Sequence, residues 1–329
     1  MTADLGAVST TDILVTGATG FIGSAVVREL VASGCGPRVR VLVRRPLSDG
    51  TAAWLADAGV RPVAGDLADP ASLAGACAGV TTLVHLAAQV GGDEQLCTAV
   101  NEDGTRALLA EAARAGTTRV LHLSTCAVYR DGDHRGASES VLVTGPASAT
   151  SRSRLAAERL VRAAGGVVLR PHLVYGVGDR HVVPALVRWL RAVPVWAAGG
   201  DARTSVVSVT DLAAVVVALI YRPGLPGEVF HVADPRPVRM RRLVTAVCDL
   251  LGEPLPAADL PLGEHRERTR EALPWLSDHQ YSLLTRDHWY ESSRVWARTG
   301  VPTGPGLVAR LAEAAQYYRE TLFDRVGGI

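Results

Sequence analysis

Three glycines in "TGATGFIG", residues 16–23, stand where a short β-branched run, Ile13 to Val15, gives way to the helical pattern "SAVVRELVASG". Strand, glycine-rich turn and helix in that order make a cradle for phosphate. Gly17 permits the tight turn, Gly20 lets the backbone approach a pyrophosphate, and Gly23 lets the helix pack closely on the strand. Thr19, Phe21 and Ile22 complete the turn and the first residues of the helix. Free N–H groups and the helix dipole favour an anion at that end. The pattern therefore predicts a dinucleotide held at the first strand–helix junction.

The next strand pattern, "RVRVLV", runs into Arg44 and Arg45. A carboxylate near this point would hydrogen-bond a ribose 2′-hydroxyl and select NAD, whereas arginine suits a 2′-phosphate. The next acid, Asp49, comes several residues late. The expected cofactor is NADP(H).

Elements must carry these groups, and the chain supplies them in alternation. "RPVAGDL" is followed by a helix start at Asp69 and Pro70, then "TTLVHLAA", the helical "AVNEDGTRALLAEAARAG" and the buried strand "RVLHLS". That pace predicts an α/β fold with a doubly wound parallel sheet of the Rossmann type. A length of 329 residues leaves room for a smaller lobe. Hydrophobic content of 48% with 20% charge is that of a globular protein, and a net charge of +1 gives no reason to expect nucleic acid or a membrane surface. The start, "MTADLGAVSTTD", has neither a basic head nor an apolar run, so a cytoplasmic location is expected. "VTDLAAVVVALIY" is too short to span a bilayer. Five scattered cysteines, odd in number and without metal-ligand spacing, read as reduced thiols and no metal site.

Taken in order, "TGATGFIG", "GDLAD", "VHLAA", "VNEDGT", "LHLSTCAVY", "SRSRLAAERL", "VVLRPHLVYGVGD", "SVVSVTDLA" and "GEVFHVAD" make the chain resemble the extended short-chain dehydrogenase/reductases of the epimerase–dehydratase type. The resemblance runs over nearly the whole length. It implies a Rossmann domain over residues 1–175 that takes back about 204–235, and a substrate lobe from 176–203 and 236–329. It places Asp66 and Leu67 beside the adenine, Leu86, Ala87 and Ala88 near the ribose, and Pro171, Leu173 and Val174 beside the nicotinamide. Gln89, Cys126 and Tyr129 fall on the substrate side. The implied partner is a small molecule, with a monomer or homodimer as the working unit.

In that family the chemistry falls to an Asn, a Ser or Thr, a Tyr and a Lys. Asn101 in "VNEDGT" and Thr125 in "STCAVY" match the first two, although Asn101 reads equally well as a capping or packing residue. Ser153, Leu155, Ala156, Ala157 and Glu158 fix the register of the helix, so Thr150 and Arg154 occupy the Tyr and Lys positions. No lysine occurs anywhere: all 34 basic residues are arginine, as a GC-rich genome would give. Of the seven tyrosines only Tyr290 has a basic residue four places on, Arg294, far along the chain.

A tyrosine phenol has a pKa near 10, lowered further by a neighbouring lysine. An aliphatic hydroxyl lies much closer to water, at roughly 15.7. Arginine holds a charge and donates hydrogen bonds but does not release its proton near neutrality. Losing a positioned general acid costs about 10²–10⁴ in rate. The proton must then come from Tyr129, from water, or from a substrate whose own phenol adjoins the ketone. A phenolic polycyclic ketone of the aromatic polyketide sort fits the last case and points to antibiotic biosynthesis. Five of the six tryptophans lie beyond residue 185, where flat surfaces would suit such a ligand, or would simply pack helices. Two other readings stay open. One is a cofactor-binding sensor without catalysis. The other is a sugar-nucleotide epimerase, dehydratase or 4-ketoreductase, for which Arg203 matches a diphosphate-binding position.

Overall fold

The computed structural model describes residues 12–222 and 224–323, so the quoted amino terminus lies outside it up to Thr11. Seven parallel strands form the central sheet in the order Val229–Val232, Val167–Pro171, Arg119–Leu123, Thr82–His85, Ile13–Thr16, Val39–Val43 and Arg61–Ala64. Every residue of the Ile13–Thr16 and Thr82–His85 strands is buried. Burial on both faces is why these strands read as continuous apolar runs instead of alternating ones. Val15, Val26, Leu30, Val41 and Val216 fill one face. Leu14, Leu83, Leu108 and Val168 fill the other. The strand order reverses between Ile13–Thr16 and Thr82–His85, and such a switch point opens a crevice at the carboxyl ends of the strands.

Val295 and Trp296 pack back into the Val15 cluster, while other later segments build a second apolar cluster around Val183, Leu186, Val187, Val244, Val247 and Tyr318. Its small four-stranded sheet takes Val238–Arg239, Arg203–Thr204, His288–Tyr290 and His134–Ala137. The last of these lies far upstream in sequence yet pairs beside His288–Tyr290. The expected helix after Asp69 is only a 3-10 turn, Pro70–Leu73, because Ala74 leaves helical backbone angles at once. No helix among the described residues is long and apolar enough to cross a membrane.

One helix matters most for the crevice. Ala149–Ala163 starts at Ser148, whose hydroxyl accepts from the Ser151 N–H at 3.1 Å while the Ser151 hydroxyl accepts from the Ser148 N–H at 3.1 Å. That reciprocal cap satisfies two otherwise orphaned donors. Further along, Glu158 is 1% exposed and ion-paired with Arg170 on the Val167–Pro171 strand. Arg170 also donates to the Tyr129 hydroxyl at 2.8 Å. Removing one member of such a pair leaves an uncompensated buried charge, at about 3–5 kcal/mol. Glu158→Gln is therefore expected to lower unfolding free energy by about that amount, read from the urea midpoint at unchanged m-value.

Candidate functional site

A cleft of about 770 Å³ runs along the carboxyl ends of the strands. Its first wall is the glycine turn. Gly17 sits at φ +71°, and a Cβ there would stand 2.7 Å from the Ala87 nitrogen. A Cβ on Gly23 would meet the Gly17 carbonyl oxygen at 2.0 Å. Neither position admits a side chain, and the cradle they leave fits a dinucleotide. Thr19, Gly20, Phe21 and Ile22 line the same wall. Arg44 and Arg45 project at one end, exposed and without an ion-pair partner among the described residues. Asp66 and Leu67 stand nearby, Leu86, Ala87, Ala88 and Gln89 follow, and Pro171 and Val174 close the far end.

Five of the sequence-predicted residues lie off this wall: Asn101, Cys126, Tyr129, Thr150 and Leu173. Cys126 is buried and donates to the Arg170 carbonyl at 3.2 Å. Leu173 packs into the second lobe's apolar cluster. Tyr129 is 2% exposed. Its hydroxyl accepts from Arg170 and lies 2.6 Å from Nε2 of His231, whose Nδ1 faces the Glu291 carbonyl at 3.0 Å. The carbonyl can only accept, so Nδ1 carries the proton and the Tyr129 hydroxyl donates to Nε2. Burial raises its pKa far above the usual phenol range. Tyr129 is thus spent on holding elements together, off the cleft wall.

Arg154 and Thr125 do reach the cleft. The Arg154 guanidinium donates to the carbonyls of Leu123 at 2.8 Å and Ser124 at 3.0 Å, which ties the helix to the end of its strand. Burial lowers its pKa to about 10, so it stays charged at neutral pH. Its Nε and the Ser124 hydroxyl are enclosed without a protein partner. Thr125 accepts from the Ala127 N–H at 3.2 Å and keeps its own proton to donate. Sequence reasoning missed Ser124, Val90, His172 and His181 on the cleft wall, although each adjoins or shortly follows a residue it did single out. His172 sits among His288, His134 and Tyr290, where burial drops its pKa well below the usual imidazole value. Among the described residues the wall contains no tyrosine, lysine, cysteine or glutamate, and Asp66 is its one carboxylate.

Under the cleft runs a directed chain of hydrogen bonds. The Thr105 hydroxyl donates to the Asn101 carbonyl, so it accepts from Nε2–H of His85 at 2.9 Å. Nδ1 of His85 must then accept from the Thr16 hydroxyl at 2.7 Å, and Thr16 accepts the Ala87 N–H at 3.2 Å. This chain joins the ends of two central strands to the loop that walls the cleft, and it requires neutral His85. Among the described residues no group of three or more His, Cys, Asp or Glu could hold a metal ion.

The sequence profile of the NAD dependent epimerase/dehydratase family matches residues 13–233. Over 259 residues, 75% of this chain and 75% of the relative, the chain is 31% identical to the 4-hydroxy-2-methyl-3-oxo-4-farnesyl-3,4-dihydroquinoline-1-oxide ketoreductase of Stigmatella aurantiaca. It is 30% identical over 258 residues, 74% of this chain and 76% of the relative, to a 2-alkyl-3-oxoalkanoate reductase of Stenotrophomonas maltophilia. A dTDP-glucose 4,6-dehydratase from Streptomyces venezuelae, solved with NAD bound, superposes with a TM-score of 0.72 at 25% identity, covering 94% of this chain and 97% of that one.

The neutral His85 makes stability depend on pH. Burial first, and the Arg154 charge second, lower its pKa from 6.5 to about 4. The unfolded chain therefore binds the proton that the folded one refuses between those values. Stability is full above the unfolded value and falls as pH drops from about 6.5 towards 4. The loss expected from His85 is on the order of 3 kcal/mol, at 1.36 kcal/mol per unit. Urea titrations at a series of pH values should show the loss reduced in His85→Gln.

Proposed function

The chain belongs to the NAD dependent epimerase/dehydratase family, and from that premise we propose that it is an NADPH-dependent ketoreductase acting on a phenolic polycyclic ketone. The substrate is of the aromatic polyketide, angucyclinone kind, in antibiotic biosynthesis, and the enzyme works in the cytoplasm as a monomer or homodimer. One observation carries the reading. The glycine turn, Leu86 to Gln89, Thr125, Arg154 and Pro171 line one cleft, and among the described residues no group on its wall is a proton donor of the phenol type. The relative from Stigmatella aurantiaca, whose name carries an oxo group on a dihydroquinoline ring, supports a ketone on a fused ring system.

Gly17, Gly20 and Gly23 with the helix they open would hold the pyrophosphate, and Arg44 and Arg45 the 2′-phosphate. Bound there, the cofactor supplies the hydride. Arg154 steadies negative charge near the ribose, the Thr125 hydroxyl donates to the carbonyl oxygen as it gains charge, and the enclosed Ser124 hydroxyl lies behind it. None of these three releases a proton at neutral pH. A hydroxyl on the ring next to the ketone can, because a phenol is the same acid that the family places on its tyrosine. Epimerases and dehydratases begin by oxidising a hydroxyl and need a base, and the family's tyrosine position here holds Thr150, whose hydroxyl is engaged by the Gly91 N–H off the wall. Their structural likeness therefore carries the fold, not the reaction.

A hydroxyl-bearing polycyclic ketone and its O-methyl ether, compared by NADPH consumption, test the reading. Turnover of the ether is expected to fall by about 10²–10⁴. Equal turnover would move the acid to water or His181, and NADPH binding without turnover of either would favour the sensor. For the cofactor, Arg44→Ala with Arg45→Ala should weaken NADPH binding about ten-fold or more, measured by calorimetry, with NADH little changed.

A further inference from the structure

Thr150, at the family's tyrosine position, points away from the cleft wall and into a clamp. Its hydroxyl oxygen accepts the Gly91 N–H at 3.0 Å. Two residues back along that loop, the Gln89 N–H donates to Oδ1 of Asn101 at 2.7 Å, and Nδ2 of Asn101 returns a bond to the Gln89 carbonyl at 3.0 Å. Nδ2 also donates to the Ser153 hydroxyl at 2.9 Å, and that hydroxyl donates to the Thr150 carbonyl at 3.0 Å. Asn101 is buried in a π-helical turn, Thr98–Asp103, that sets its side chain facing the loop. Both ends of the short segment 89–91 are thereby fastened to the Ala149–Ala163 helix and to that turn.

The other side of the segment faces the ligand. Gln89 and Val90 line the cleft, and Val90 is 59% exposed, a bare apolar surface at its mouth. Gly91 and Gly92 follow at φ +73° and +89°, two consecutive residues of wide backbone freedom. Without a fastening, such a segment would have to be ordered each time a ligand binds.

We propose that Thr150 is a positioning residue for ketone recognition: its hydroxyl holds the Gln89–Gly92 loop so that Val90 and Gln89 form a fixed wall against the substrate. The proposal rests on the ketoreductase reading. It also explains the residue type. A phenol oxygen stands several ångström further from the helix than a threonine hydroxyl and cannot serve the Gly91 N–H from the same place.

Thr150→Val keeps the shape and removes the acceptor, and Thr150→Ser keeps the acceptor. The valine variant is expected to raise KM for the hydroxyl-bearing ketone about two- to twelve-fold, the worth of one hydrogen bond, with kcat within two-fold and NADPH affinity unchanged. Amide hydrogen exchange at Gly91 should quicken in the valine variant and stay at the parent rate in the serine variant. Unchanged KM and exchange in the valine variant would overturn the proposal, as would loss of kcat at constant KM or equal damage from serine. If the parent enzyme turned over no ketone, the reductase reading would fall, while Gly91 exchange in the two variants would still decide the clamp.

Discussion

The geometry of the cleft depends on one enclosed ion pair, Glu158 with Arg170. Two charges withdrawn from water gain little net stability, because desolvation offsets most of their attraction. What they supply is position. Glu158 can satisfy its charge at one place only, so the Ala149–Ala163 helix cannot slide along the sheet or roll on it. The Tyr129 hydroxyl extends the contact through His231 to the Glu291 carbonyl, which ties the second lobe to the same point. Arg154 and Thr150 stand one turn and two turns before Glu158 on that helix. Their directions are set by the pair behind them.

The same burial that makes the ion pair obligatory decides the electrostatics of the cleft floor. Arg154 keeps its charge, since even a pKa of about 10 leaves it protonated at neutral pH. His85 and His122, whose rings lie 5.0 Å apart, are both pushed towards the neutral form by burial and by Arg154. The floor therefore carries one fixed positive charge over neutral rings. It can attract and orient an oxyanion, but it holds no proton that it gives up readily. The hydroxyls of Thr125 and Ser124 fit that limit, as donors of hydrogen bonds only.

Much of this was legible in the sequence, for identifiable reasons. The glycine turn and the alternation of strands follow from local backbone demands, which short motifs carry in full. The loss of the tyrosine and lysine was plain because the flanking Ser153, Leu155 and Glu158 fix the register. Other features depend on partners distant in the chain. The fate of the Tyr129 hydroxyl is set by Arg170 and His231, and Thr150 turns outward because Gly91 waits there. His134–Ala137 reads as loop by its composition and becomes a strand only because His288–Tyr290 lies beside it. The π-helical turn at Asn101 leaves no mark on a pattern of apolar residues.

On the ketoreductase reading proposed above, residues 150 and 154 belong to a single design. When the acid resides on the enzyme, a loosely held ketone can still find it, because the donor is fixed and the carbonyl samples its reach. When the acid resides on the substrate, proton and carbonyl arrive already joined, and the enzyme controls only how that unit meets the hydride donor. Rate then depends on orientation, which is worth many orders of magnitude in effective concentration. A site of this kind has no use for a phenol at residue 150 and every use for a rigid wall. On that reading, a hydroxyl at residue 150 that fastens the facing loop would move the position from acid chemistry to placement, where the remaining catalysis would lie.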